Sequence, residues 1–139
     1  MVEKITVSRD EVRHYPWLDH TWVYVYYTQD AATKTPAFQK LLTAFLRYGI
    51  RETTGAEFKS VTAEGNYLFI KHDTNEIVDI LKNACEWLLK YAKVKDPTSP
   101  KGQFVLENMD RLYTFAAEMK NILEEKTYKY YFQSVDGMN

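Results

Sequence analysis

The chain has 139 residues, the usual length of a single domain, and its 18 basic and 19 acidic side chains leave a formal net charge of −1. Hydrophobic residues make up 45% and charged residues 27%, which excludes a disordered chain. The near-neutral charge excludes a global positive field for nucleic acid or an anionic membrane. Aromatic residues reach 15%, and this excess is typical of either a thick core or a contact surface.

The first 28 residues predict two strands around an irregular segment. Residues 4–8 favour a short strand or arm. Pro16 disfavours a helical conformation at Tyr15, so residues 13–21 are interpreted as irregular. Residues 21–28 follow with an alternating pattern of side chains, which predicts a strand.

A helix with well-marked ends comes next. Thr35 is placed to cap it, Pro36 suits its first turn, and Gly49 is placed to end it. Apolar residues recur at helical spacing and predict one buried face, made of Phe38, Leu41, Leu42, Phe45 and Leu46.

A hairpin follows this helix. Residues 57–62 and 66–72 predict two strands that a tight turn joins. Gly65 and Asn66 lie at the turn, where both residue types tolerate the positive φ that a tight hairpin requires.

The second helix is predicted over residues 73–94, with Asp73 or Thr74 as its cap. Its middle carries Cys85, the single cysteine of the chain, in apolar surroundings. A lone cysteine forms no disulfide within the chain, and burial makes it a small hydrophobe rather than a reactive thiol. Residues 1–15 have no apolar run of signal-peptide length and no segment reaches membrane length, so a cytoplasmic protein without membrane contact is expected.

The C-terminal part predicts a linker, a third helix and a tail. Residues 95–102 are polar and contain two prolines, which is typical of a linker. Residues 103–126 predict a helix, and residues 127–139 alternate weakly and are interpreted as a tail with a last strand. The helix carries an apolar seam suited to packing on another helix, made of Val105, Met109, Leu112, Ala116, Met119 and Leu123.

The order of these elements predicts one α+β domain over residues 1–139. Strand, helix, strand, strand, helix and last strand is the split βαβ, or ferredoxin-like, order, in which two helices cover one face of an antiparallel sheet. The core of this arrangement is expected within residues 20–94. The third helix is expected as an additional C-terminal helix.

Two of the predicted strands divide their side chains between an aliphatic and an aromatic face, because side chains alternate along a strand. The aliphatic residues Val23, Val25, Leu68 and Ile70 suit the two helices. The opposite face is the candidate partner-binding site, and it consists of Trp22, Tyr24, Tyr26, Tyr67 and Phe69, with Lys59 and Lys71 as charged neighbours.

Three interpretations account for these aromatic residues. In the first, the third helix or the tail folds across them and makes them core. In the second, two copies of the chain meet there, or through the third helix, and form a symmetric homodimer. In the third, the residues stay open and stack on the bases of single-stranded nucleic acid.

A short motif supports the third interpretation. The segments VYVY (23–26) and NYLFIKH (66–72) resemble the two ribonucleoprotein signatures of the RNA-recognition motif. Aromatic residues of that family lie on two strands of a sheet and stack on bases. The resemblance implies a stacking platform of Tyr24, Tyr67 and Phe69.

One segment offers metal-ligating side chains. His14 and His20 flank the residues YPWLD, and Asp19 adds a carboxylate. Zinc requires three or four converging ligands, and no other residue is spaced to complete this set. The two histidines are therefore interpreted as loop or strand-edge residues, and no metal site is predicted.

Two patterns resemble parts of enzyme sites. His72 and Thr74 (HDT) resemble one half of a two-histidine phosphoesterase, and the second half is missing. Glu57 and Lys59 (EFK) resemble the Glu-x-Lys pair of metal-dependent nucleases, in which the carboxylate binds magnesium, although the aspartate of that family is not at the required spacing. A strand end before a helix cap and an exposed strand explain the two patterns more simply.

The sequence therefore predicts a non-catalytic binding module of the inhibitor, immunity or adaptor type. We expect it to recognise a protein partner through the aromatic residues and to require no cofactor. Single-stranded nucleic-acid binding by the same residues is the alternative hypothesis. A metal-dependent phosphoesterase or nuclease is the distant one.

Overall fold

The computed structural model describes residues 5–16, 21–28, 34–56, 60–72, 76–126 and 128–130. Five strands and three helices are found in these ranges. In chain order they are β1 (Thr6–Pro16), β2 (Thr21–Thr28), α1 (Pro36–Thr54), β3 (Ser60–Glu64), β4 (Tyr67–His72), α2 (Ile77–Tyr91), α3 (Pro100–Glu125) and β5 (Lys129–Tyr130).

The strands form one mixed sheet in the order β3-β4-β2-β1-β5. Neighbouring strands are antiparallel except β1 and β5, which are parallel. The α+β class is therefore confirmed, but the ferredoxin-like prediction is wrong. The N-terminal strand β1, rather than the last strand, lies beside β2, and the two-residue strand β5 lies outside β1.

Strand β1 is longer than the sequence predicted. It continues to Pro16, so the interpretation of residues 13–21 as irregular is wrong for its first four residues. The restriction that disfavours a helix at Tyr15 also favours extended backbone there, and a proline at a strand end removes no ladder hydrogen bond from the interior. The pairing with β2 shifts between Val7 and Val12, and this bulge places residues 8–11 opposite Tyr26 alone.

Helix α1 begins as predicted and ends later. The Thr35 hydroxyl accepts a hydrogen bond from the Phe38 amide at 3.2 Å. The helix runs through Gly49 and ends at Thr54, and the φ of 76° at its C-cap residue Gly55 is the left-handed conformation that glycine adopts readily. Gly49 is buried within the helix because α2 passes close to it. The predicted apolar face is confirmed, since Phe38, Leu42, Phe45 and Leu46 are buried and Leu41 packs against them.

The predicted hairpin is confirmed in its described part. Strands β3 and β4 are antiparallel, and Glu64 pairs with Tyr67 across the two-residue turn. Gly65 has a φ of 60°, which explains the glycine at this position. Residues 57–59, predicted as the start of the first strand, lie outside the described residues.

Helix α2 begins at Ile77, and its N-cap residue Glu76 forms no side-chain cap bond. The predicted caps Asp73 and Thr74 lie outside the described residues. Cys85 is fully buried in this helix, and burial raises the pKa of its thiol to about 12. None of the described helices combines the length and hydropathy needed to cross a bilayer.

Helix α3 begins at Pro100, three residues before the predicted position. The Ser99 hydroxyl accepts a hydrogen bond from the Gly102 amide at 2.9 Å, so part of the predicted linker 95–102 is the first turn of the helix. The ring of Phe115 meets the ring of the buried Tyr27 edge to face, with 5.7 Å between centroids. Helix α3 thus packs beside α2 and over β1, and all three helices cover the same face of the sheet.

Candidate binding surface

The register of the strands separates a helix-covered face from an open one. Directly paired residues point to the same side of an antiparallel sheet. Tyr24 pairs with Phe69, and Tyr26 pairs with Tyr67. The same side of the sheet, called the aromatic face below, carries six half-buried rings, those of Tyr15, Trp22, Tyr24, Tyr26, Tyr67 and Phe69.

The alternation of side chains in two predicted strands put most of these residues on one face, and they share a face in the structure. The five predicted aromatic residues and Lys71, which pairs with Trp22, all lie on the aromatic face. Lys59 lies outside the described residues. The interpretation that the third helix covers the aromatic face is wrong, because α3 packs on the opposite side against Tyr27. The alternative cover, the tail, falls mostly on residues 131–139, which the structure does not describe.

The rings of the aromatic face pack on one another at the centre of the sheet. The centroid of Tyr24 lies 4.9 Å from that of Tyr67 and 4.9 Å from that of Phe69, and Tyr26 lies 5.0 Å from Tyr67. Tilted and edge-to-face contacts of this kind add stability beyond the buried area, so they fix the orientation of the rings. Burial raises the pKa of the Tyr24 hydroxyl, and a hydrogen bond with Tyr67 adds to the shift. Tyr24 therefore stays neutral near physiological pH.

Basic side chains lie between the rings. The Lys71 ammonium is 5.2 Å from the centroid of Trp22, and the Arg13 guanidinium is 6.0 Å from that of Tyr24, both within the range of a cation–π contact. Lys129 of β5 pairs with Arg13 in register and so extends the same row. The aromatic face thus combines large apolar rings with fixed positive charges.

Arg13, Tyr15 and Lys129 were missed by the sequence interpretation. The reason is that β1 was predicted to end before Arg13 and Tyr15, and that the last strand was expected beside β2 rather than outside β1. The alternation of Val12 and His14 with Arg13 and Tyr15 was the signal that a strand continues there.

A shallow groove of about 290 Å³ lies on the aromatic face. It is lined by Tyr15, Trp22, Tyr24 and Phe69. This volume is at the lower limit of small-molecule sites, which favours insertion of one ring or side chain over capture of a whole ligand.

His14 lies in the interior of β1 rather than in a loop. It pairs with Val23, is 2% exposed and points to the helix-covered side of the sheet. The ring of Tyr130 meets it edge to face at 4.8 Å, and neither of its ring nitrogens has a hydrogen-bond partner among the described residues. Burial lowers the pKa of this histidine. The other two members of the predicted set, Asp19 and His20, lie outside the described residues.

His14 has a consequence for acid stability. Because its pKa in the folded chain lies below the ordinary value of 6.5, the unfolded chain takes up a proton at a pH where the folded chain does not. The free energy of unfolding is therefore expected to fall as the pH is lowered below about 6.5, until the pKa of the folded state is reached. Urea unfolding at a series of pH values measures this slope. The variant His14→Phe should flatten it, and an equal slope in both proteins would contradict the assignment.

The remaining patterns do not converge on a described site. His72 ends β4 opposite Thr21 and is half-buried, whereas Glu57 and Lys59 lie outside the described residues. Within the ranges that the structure describes, no group of three His, Cys, Asp or Glu side chains is placed to hold a metal ion.

The aromatic face thus brings aromatic rings, basic side chains and a groove together on one side of the sheet. Comparisons of the chain with protein-family models, with curated proteins and with solved structures find no match.

Proposed function

We propose that the chain is a non-catalytic binding module and that the aromatic face binds a protein partner. The observation that carries this proposal is the position of six rings on the side of the sheet opposite all three helices. Contiguous aromatic surfaces of this kind mark interaction sites in soluble domains. The proposal includes no catalytic step.

The composition of the aromatic face supports a protein partner. Tyrosine, tryptophan and arginine are the residues that contribute most to protein–protein binding energy, and Trp22, Tyr24 and Arg13 lie side by side here. Both signs of charge are present, because Glu64 pairs with Tyr67 and Glu11 is near enough to Tyr24 to raise its pKa. Mixed charge around a ring cluster is typical of the polar rim of a protein interface.

Site-specific photo-crosslinking tests the proposal without knowing the partner. A benzophenone amino acid replaces Tyr26 on the aromatic face in one variant and Tyr91 in a control. Tyr91 is 55% exposed and lies on α2, in the layer on the other side of the sheet. After irradiation in cells that produce the chain, we expect a discrete protease-sensitive adduct from position 26 and none from position 91.

Point substitutions then measure the contribution of the rings to binding of the cross-linked protein. Trp22→Ala and Tyr24→Ala should each weaken that binding by about 2 kcal/mol, as expected for central interface residues. Tyr91→Ala should change it by less than about 0.5 kcal/mol. Isothermal titration calorimetry gives these values, and thermal unfolding verifies that each variant is folded. An adduct from position 26 that survives in the Trp22→Ala, Tyr24→Ala double variant would contradict the proposal.

Single-stranded nucleic acid is the second candidate partner. The presence of Lys129, Arg13 and Lys71 among the rings favours it, because phosphates require cations and bases stack on aromatic side chains. In this case the adduct from position 26 is sensitive to nuclease. The logarithm of the affinity for an oligonucleotide should then fall with the logarithm of salt with a slope of about −2, since three cations contribute about 0.7 each on single strands. An adduct of twice the chain mass would instead indicate the homodimer.

A further inference from the structure

A second surface, away from the aromatic face, lies where β3 forms the edge of the sheet. Glu64 and Tyr67 close the two-residue turn, so alternate residues of β3 share the hydrogen bonds with β4. Val61 and Ala63 therefore direct their backbone amides and carbonyls away from β4. No described strand pairs with this side of β3.

Helix α1 partly protects this edge with two side chains. Arg47 Nη2 donates a hydrogen bond to the Val61 carbonyl at 3.1 Å, and Gln39 Nε2 donates one to the Gly65 carbonyl at 2.9 Å. Ala63 lies between these two contacts, and no described side chain bonds its outward groups. An edge strand with open amides and carbonyls is a template for pairing with another chain.

A groove of about 290 Å³ runs between α1 and β3 beside this edge. Its α1 side is formed by Pro36, Gln39, Lys40 and Thr43, and its sheet side by residues 61–63. A peptide strand paired with β3 would place every second side chain over the sheet edge toward α1. The groove therefore has the position that side chains of an added strand would occupy.

The charge of α1 indicates which peptide fits. The helix has three basic residues, Lys40, Arg47 and Arg51, and one acidic residue, Glu52. Neither Lys40 nor Arg47 contacts a carboxylate in the part of the chain that the structure describes. The side chain of Glu64, at the end of β3, belongs to the opposite side of the sheet, because it pairs with Tyr67 of the aromatic face. Lys40 thus lies on the helical wall of the groove and Arg47 beside the same strand edge, both without a carboxylate partner among the described residues.

We propose that this groove binds an extended acidic segment of a partner protein, which pairs with β3 as an additional strand. Backbone groups of the segment bond to Val61 and Ala63, as in other cases of strand addition to a sheet edge. Arg47 moves from the Val61 carbonyl to a carboxylate of the segment, and the carbonyl then accepts a peptide amide. Lys40 binds a second carboxylate. Lys40 and Arg47 are seven positions apart on the helix, which is a distance of about 10 Å. Alternate side chains of an extended peptide repeat every ~7 Å, and the flexible side chains of lysine and arginine make up the difference.

The same charges argue against other occupants. Pairing of β3 with β3 of a second copy would bring two basic α1 flanks side by side, where like charges repel. A nucleic-acid backbone lacks the alternating amides and carbonyls that the edge of β3 pairs with. An acidic peptide satisfies both the edge and the helix.

The test uses the isotope-labelled full chain and three capped heptapeptides in which Val alternates with Glu, Lys or Ser. The Glu peptide is expected to shift the amide resonances of Val61 and Ala63 and to slow their exchange with solvent. The Lys peptide should do neither, and the Ser peptide should bind more weakly than the Glu peptide. A Glu peptide that is N-methylated at every residue should not bind, because neither of its edges retains an amide that can pair with the strand edge.

Charge variants complete the test. Lys40→Ala and Arg47→Ala should each weaken the Glu peptide by about two- to fivefold, the range for exposed ion pairs. Lys90→Ala, on the exposed side of α2, is the matched control and should leave the affinity unchanged. Three results would overturn the proposal: unchanged exchange at Val61 and Ala63 with every peptide, equal binding of the Lys and Glu peptides, or a dimer in which β3 pairs with itself. Loss of binding at the aromatic face would leave this result unaffected, because the residues that contact the peptide (Lys40, Arg47, Val61 and Ala63) are not part of the aromatic face.

Discussion

Gly102→Ala is expected to lower the free energy of unfolding by about 2–3 kcal/mol, the upper part of the range for overpacked sites. A Cβ atom at this position would lie 1.7 Å from the carbonyl oxygen of Asp96 and 2.7 Å from its carbonyl carbon. In the interior of an unobstructed helix the same substitution is stabilising by about 1 kcal/mol. The sign of the change therefore separates steric contact from helix propensity.

The clash at position 102 is not relieved easily, because it involves backbone that several hydrogen bonds hold in place. Asp96 Oδ1 accepts hydrogen bonds from the Thr98 amide at 3.1 Å and from its hydroxyl at 2.8 Å. The Ser99 hydroxyl donates to the Asp96 carbonyl at 3.0 Å and also caps α3 through Gly102. A shift of Asp96 would therefore break the cap of the helix as well.

Urea unfolding of Gly102→Ala measures the loss. Lys101→Ala, one residue earlier on the exposed side of the first turn, is the control and should change stability by less than about 0.5 kcal/mol. A Gly102→Ala protein as stable as the unsubstituted chain would show that the loop before α3 yields without cost.

Gly49→Val should cost about 3 kcal/mol, because it fills the closest approach of α1 and α2. A Cβ at position 49 would lie 2.6 Å from Leu88 Cγ and 3.0 Å from the Ala84 carbonyl oxygen. The first contact could be relieved by a change of side chain, but the second involves helix backbone. Two additional methyl groups therefore push the helices apart in a core that is packed without spare volume.

A double-mutant cycle with Leu88→Ala tests this mechanism. Leu88 is fully buried, so Leu88→Ala alone should cost about 2–5 kcal/mol by leaving a cavity. In the double variant the valine at position 49 enters that cavity. The stability loss measured for the double variant should therefore be smaller than the sum of the two single losses by at least about 1 kcal/mol. Additive costs would mean that the two residues do not meet in the way their distance indicates.

The sequence was most informative where one strand or helix alone determines the pattern. The apolar face of α1 follows from a 3.6-residue period, and the aromatic face follows from alternation in β2 and β4. The turn at Gly65 follows from the positive φ that glycine adopts. Each of these patterns lies within one helix, strand or hairpin, so a single sequence contains enough information to predict it, and only the union of the two aromatic strand faces also requires that β2 pairs with β4.

Features that depend on distant residues were not predicted. The bulge over residues 8–11 interrupts the alternating pattern of β1 with charged side chains. The continuation of the strand to Val12 and His14, which are buried, was therefore not recognised from the sequence. The C-terminal strand was expected beside β2, but β1 lies there. This position depends on which strands pair with each other, which the pattern of a single strand does not determine. The end of α1 was misplaced because Gly49 serves a contact with Leu88, almost 40 residues away, rather than a cap.

The position of β1 beside β2 also has a consequence for the order in which the chain acquires its structure during synthesis. These two strands are close in sequence, so they are able to pair soon after they leave the ribosome, before any helix exists to cover them. Their apolar side then faces solvent until the helices that cover it have been made, and Tyr27 lacks its contact with Phe115 until α3 follows. The nascent chain therefore carries an exposed apolar hairpin until the covering helices have been made, and a chaperone is able to bind its extended strands during that time.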